Sequence, residues 1–234
     1  MTLKQRQRMA AFTRKDLSVM LAMVVALGIV LIPSTRRATL KSHTINCIRN
    51  LKELGTGYAL WANAHRDRYP AVTSLTNGGW SEFLNRPDSS SWVWTNYAIM
   101  SYVLGQTSSI LACPDDERMP SEVFSNVIAN TNISYFVGIC PSYKYPQSIL
   151  GGDRNLGPGT TPDPQYGYSP SDARGADVVV KSPVCWSLKM HSHGYPAGRG
   201  NILLADGSVS VTTSQALTRR WLPTNTSGIR LIFP

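Results

Sequence analysis

The 234-residue chain lacks the compact signatures of catalysis: it has no nucleophile elbow, P-loop, GxGxxG or HExxH. An enzyme is not expected. Its four cysteines, Cys47, Cys113, Cys140 and Cys185, include no CxxC pair, so no structural zinc site and no bound metal are expected. Acids are scarce, 14 against 23 basic residues, for a net charge of +9. That scarcity is local. Residues 1–68 hold 12 bases and 3 acids, which leaves 11 of each in residues 69–234. A nucleic-acid-binding domain needs a basic face of its own, and a balanced body argues against nucleic acid as a partner.

The excess charge sits around an unusual N-terminal segment. Lys4, Arg6 and Arg8 precede Ala11-Phe12-Thr13, then Asp16, then the uncharged run Leu17–Ile32, then Pro33. Sixteen helical residues rise ~24 Å, slightly short of a ~30 Å hydrocarbon core. The run ends in Pro-Ser-Thr-Arg-Arg, a poor small-residue cleavage site, which argues against a removable secretory signal. A plain single-span anchor accounts for the apolar run, and the basic leader fits a cytoplasmic N-terminus. It leaves Asp16 unexplained, because an acid at the mouth of a span is costly without a partner.

Ala11-Phe12, Thr13, Asp16 and Pro33 together resemble the leader of type IV prepilins and type II secretion pseudopilins. The resemblance implies cleavage by a prepilin peptidase between Ala11 and Phe12. It also implies an assembly role for Asp16, paired with the new N-terminal amine of a neighbouring subunit, and a helix bend at Pro33. An ion pair in an apolar filament core would fix the register strongly. The chain departs from the family at Ala11, where Gly is preferred, and at Asp16, where Glu is preferred. Arg14 and Lys15 stand where apolar residues are usual; two cations in a filament core cost several kcal/mol unless they snorkel or pair. A leader altered in this way suits a minor subunit.

Beyond Pro33 the helical period resumes. Ile45, Ile48, Leu51, Leu54, Tyr58 and Trp61 fall on one face, and the helix is expected to run from Thr13 to about Ala64, ending before Pro70. Gly55 and Gly57 weaken it but permit close packing. Cys47, Asn50, Leu51, Lys52, Leu54, Gly55 and Tyr69-Pro70 resemble the N-terminal region of prepilin-like proteins abundant in planctomycetes and verrucomicrobia. Members of that group often end in a His, a spacer and Asp-Gly, commonly with nine residues between. Here His193 and Asp206-Gly207 match with 12 between. Further echoes are Cys113-Pro114-Asp115, Ser134-Tyr135, Gly152-Asp153-Arg154-Asn155 and Arg230–Pro234.

The expected organisation is a basic leader (1–11), a transmembrane and assembly helix (12–33), its amphipathic continuation (34–68) and a globular body (69–234). The fold class is α+β, pilin-like, with the long helix packed on a small antiparallel sheet with long loops. Ile133–Ile139 and Val178–Val180 read as strands, and Asp153–Asp172 as a long loop. Asn201–Ala205 and Ser208–Thr212 read as a hairpin with a type I′ turn at Asp206-Gly207. If the body is exported, disulfides become permissible. Cys113 and Cys140, each followed by proline, are then the expected pair, with reduced buried cysteines as the alternative.

His191, His193 and Asp206 make a weak metal set; a His bonded to a turn is the simpler reading. Asp115, Asp116 and Glu117 offer oxygens to calcium, or are simply a solvated acidic loop. The resemblance implies a structural subunit of a type IV pilus-like or type II secretion pseudopilus-like fibre. Its partners are then a prepilin peptidase, other pilin subunits and the inner membrane. The competing reading is an anchored domain that binds an extracellular ligand such as a glycan, which exposed tryptophans among Trp80, Trp92 and Trp94 would favour.

Overall fold

The structure is a computed structural model that describes residues 13–124, 129–139, 144–170, 174–222 and 228–234; the side chains of residues 30–38, 85, 89 and 91 are not described. It divides into two compact units, residues 1–41 and Ser42–Pro234.

Helix α1, Arg14–Ala64, is 51 residues long and matches the expected limits. In the first unit the described apolar side chains from Leu17 to Ile29 are exposed. Among the described residues no helix is long and apolar enough to cross a membrane. The run Leu17–Ile32 ends inside the stretch whose side chains are not described.

In the second unit α1 is amphipathic. Cys47, Leu51, Leu54, Tyr58, Trp61 and Ala62 are buried, whereas Ile45 is 56% exposed. The buried stripe therefore begins at Cys47 rather than Ile45. Gly55 and Gly57 explain how closely the helix packs. A Cβ on Gly55 would lie 2.9 Å from Leu203 Cδ1 and 3.2 Å from Gly207 Cα. One on Gly57 would lie 2.4 Å from Leu104 Cδ2.

Six strands form one antiparallel sheet: β1 (Tyr135–Gly138), β2 (Ile149–Asp153), β4 (Ala176–Val180), β6 (Arg199–Leu204), β7 (Val209–Thr213) and β8 (Ile229–Phe233), in the order β4-β8-β1-β2-β6-β7. Strands β3 (Leu156–Pro158) and β5 (Val184–Trp186) form a second, two-stranded sheet. Alternation along the strands sorts side chains to two faces. Tyr135, Val137, Leu150, Leu203 and Ile232 join the α1 core. Phe136, Ile149, Ile202, Leu204, Leu231 and Phe233 join a second core with Trp186 and with Leu217 and Trp221 of helix α3 (Ser214–Trp221), which follows the short helix α2 (Val93–Ala98) in chain order. The body is thus α+β with a sheet between two apolar layers.

Two local expectations are corrected. The segment 153–172 is not all loop, since β3 lies within it and pairs with β5. The β6–β7 hairpin is real, but its turn is not type I′. Gly207 N donates to Leu204 O at 2.9 Å and only Gly207 takes positive φ, +79°. That is a three-residue loop, a type I turn closed by a left-handed glycine.

Candidate functional site

The expected processing site, Ala11 and Phe12, lies outside the described residues, and Pro33 lies where only the backbone is described. Asp16 is described, and its carboxylate is engaged within its own chain. Its Oδ2 accepts from Thr13 N at 2.9 Å and from Thr13 Oγ1 at 2.8 Å, while Thr13 Oγ1 accepts from Asp16 N at 3.3 Å. This is a reciprocal capping box with Asp in the place of Glu. The Thr-x-x-acid spacing that announces it was visible in the sequence.

In the body, motif residues scattered over the sequence meet one another. Cys47 of α1 is disulfide-bonded to Cys113, 66 residues later. This corrects the expected Cys113–Cys140 pair. Cys140 itself lies outside the described residues, and its flanking proline carried no information about spatial distance. Cys185 is a free, buried thiol. Asn50 Nδ2 donates to Ala112 O at 3.1 Å, and Cys113 N donates to Ser134 Oγ at 2.9 Å. These bonds stitch α1 to the loop before Cys113 and that loop to the start of β1. Tyr69 Oη donates to Ala205 O at 2.7 Å, tying the end of the helix to the Asp-Gly hairpin.

The three acids after Cys113 take separate partners. Asp116 receives Arg154 Nε at 2.8 Å and Nη2 at 2.9 Å, a bidentate pair with both side chains almost fully buried. Arg154 also lies over the Tyr166 ring at 3.4 Å. Glu117 meets Lys189 Nζ at 2.6 Å. Asp115 Oδ2 lies 3.1 Å from His191 Nδ1. The carboxylates do not converge on one point, as a calcium site requires. Arg118 donates to the carbonyls of Asn130, Ile133 and Pro234 at 2.7, 2.7 and 2.9 Å.

His191, not His193, is the histidine built into the body. His193 is exposed, with its Nε2 4.0 Å from Asp115 Oδ1. Asp206 accepts from Ser208 N at 2.9 Å and Oγ at 2.6 Å, as a hairpin acid does. His191, His193 and Asp206 therefore form no ligand set. His191 is buried, with Nε2 3.3 Å from Cys113 Sγ and 3.5 Å from Asp153 Oδ2. Asp153 in turn accepts from Asn201 N at 2.7 Å and Nδ2 at 2.8 Å. Among the described residues, the group with metal-ligand spacing is Cys47, Cys113 and His191, whose ligand atoms lie within 4.8 Å of one another.

Burial sets the electrostatics. It pushes the Asp153 carboxyl up to about 6, against the charge of His191 and the Asn201 donors. At His191 burial alone would favour the neutral ring, but Asp153 and Asp115 outweigh it and raise the pKa. At Asp116 burial alone would favour the acid, but the Arg154 hydrogen bonds and charge outweigh it and lower the pKa. Burial draws Arg118 down to about 10.

The tryptophans form no exposed platform. Trp80 is buried and donates to Asn96 Oδ1 at 3.0 Å. Trp92 and Trp94 are half-buried against the α1 core, and Trp92 donates to Asp88 Oδ2 at 2.9 Å. The cluster thus joins helix, loops and sheet through hydrogen bonds, ion pairs and one disulfide, and His191, that disulfide and the carboxylates of Asp115, Asp116 and Asp153 are turned inward. No family model matches the chain, and no curated protein or solved structure is significantly similar to it.

Proposed function

We propose that the chain is a structural subunit, minor rather than major, of a type IV pilus-like or type II secretion pseudopilus-like fibre. In this reading a prepilin peptidase cuts before Phe12. The helix holds the chain in the inner membrane as a single pass, with the body on the outer side. Other pilin or pseudopilin subunits are its partners. The pilin-like character of the α+β body belongs to the same proposal.

The supporting observation is the division of α1 into two halves of opposite habit. Leu17, Val19, Met20, Leu21, Met23, Val24, Val25, Leu27 and Ile29 are each 51–68% exposed. A helix apolar on every side needs lipid or other helices around it. From Cys47 to Ala62 the same helix supplies one wall of the body's core. Such a helix can pass its apolar half from a membrane to a stack of like helices while the body stays folded.

Asp16 is the residue that would set register in that stack. The capping box holds its carboxylate at the first turn of the helix, where a neighbour's terminal amine would have to share it with Thr13. The chain should be expressed with its cognate prepilin peptidase and its mature N-terminus sequenced. A start at Phe12 is expected; an intact Met1 or Thr2 would leave only a plain anchor. Asp16→Ala should abolish incorporation into fibres and spare membrane insertion. Incorporation that survives the change would remove the acid from assembly.

A further inference from the structure

The Cys47–Cys113 disulfide has an unusual neighbour. Its sulfurs and the His191 ring come from three distant segments and meet in the interior, with Cys47, Cys113 and His191 exposed by no more than 4%. Met190, just before His191, takes φ +54°, a left-handed conformation that costs a bulky residue about 1–2 kcal/mol. Asp115 Oδ2, 3.1 Å from Nδ1, orients the ring as carboxylates orient metal-bound histidines, and leaves Nε2 facing sulfur.

A second observation is independent of the cysteines. Asp153 is fully buried with Oδ2 3.5 Å from His191 Nε2, and its Oδ1 has no hydrogen-bond partner. A buried carboxylate oxygen without a donor is expensive.

We propose that, with Cys47 and Cys113 as thiols, they and His191 form a binding site for a thiophilic divalent ion, Zn²⁺ foremost, with water in the fourth position and Asp153 as a supporting carboxylate beside His191. Disulfide and metal are then alternative occupants of one position. Two thiolates, one imidazole and a water make a tetrahedral set. Bonds of about 2.3 Å to sulfur and 2.0–2.1 Å to nitrogen place a nitrogen and a sulfur ligand about 3.5 Å apart in a tetrahedron, and the two sulfurs about 3.8 Å apart. The observed 3.3 Å from His191 Nε2 to Cys113 Sγ is close to the first of these edges. A cleft of about 540 Å³, lined in part by Asn50, Cys113, Asp116 and Arg118, opens beside Cys113.

The interconversion balances with a water-soluble phosphine as reductant. Phosphorus attacks one sulfur, and the other leaves as a thiolate. Water then converts the phosphonium to phosphine oxide and frees the second thiol. Two electrons pass from phosphorus to the sulfurs, and water supplies the oxygen and both protons. Metal binding then displaces two thiol protons to solvent.

The inference does not depend on the fibre reading, and its test does not touch the N-terminus. The full chain, held in detergent, is reduced with phosphine without oxygen and titrated with Co²⁺, beside an unreduced sample. Circular dichroism monitors folding. The expected result is one equivalent bound by the reduced chain only, with tetrahedral visible bands and a thiolate charge-transfer band, all displaced by Zn²⁺. Asp153→Asn and Asp115→Asn should keep the fold and weaken binding roughly 10–100-fold, the range for removing a supporting carboxylate. Equal, weak, octahedral cobalt binding by both samples would overturn the proposal, and so would a reduced chain, folded or unfolded, that takes no metal.

Discussion

Asp116 and Arg154 lie 38 residues apart and lock the loop after Cys113 to the end of β2. Removing one partner of a buried pair leaves the other charge uncompensated, so Asp116→Asn should cost roughly 3–5 kcal/mol at neutral pH. The pH dependence follows from the lowered carboxyl. A group that titrates lower folded than unfolded stabilises fully above the unfolded value, about pH 4, and loses that contribution as pH falls through the folded one. The denaturation midpoints of wild type and Asp116→Asn, measured at pH 7 and again below pH 4, should therefore converge in acid. A gap that stays constant would mean that the ion pair is not its source. None of this pairing was legible beforehand: Asp115, Asp116 and Glu117 read as one acidic loop, and only the fold assigns them to His191, Arg154 and Lys189.

Elements were legible where a short-range pattern specifies them. Steps of three and four residues mark α1, and an Asp-Gly between apolar runs marks the β6–β7 hairpin. Other elements were hidden by residues chosen for contact rather than propensity. β2 carries Gly151 and Gly152 because a Cβ on Gly152 would lie 2.7 Å from Asn201 O and 2.8 Å from Phe136 Cζ. β3 is three residues ending in proline, and α3 follows β7 without a loop. The disulfide and the burial of His191 depend on long-range closure that no local pattern carries. Gly55 shows local and tertiary preference in opposition. In a free helix Gly→Ala gains up to about 1 kcal/mol. Here the added methyl meets Leu203 and the backbone of Gly207, and overpacking of this kind costs about 1–3 kcal/mol. Gly55→Ala should therefore lower stability by about 1–2 kcal/mol in denaturant melts, and a stabilised variant would show that helix and hairpin can separate at little cost.

At the scale of the molecule, the disulfide closes a loop of 66 residues between α1 and the body's loops. Chain-entropy reasoning assigns such a loop about 4 kcal/mol. Reduction without metal should lower the unfolding midpoint accordingly, and Cys47→Ser should reproduce the loss. An unchanged midpoint would make the bond dispensable for stability. The strand order carries a different consequence, one of timing. β8, Ile229–Phe233, is synthesised after every other described strand, yet it lies between β4 and β1 and supplies Leu231, Ile232 and Phe233 to the two cores. Until it emerges, β1 and β4 each present an open edge with no partner on that side. The body therefore cannot mature as it leaves the ribosome, however early α1 coils. Ribosome-stalled chains that stop short of Ile229 should stay protease-sensitive, and protection should come with the release of the finished strand.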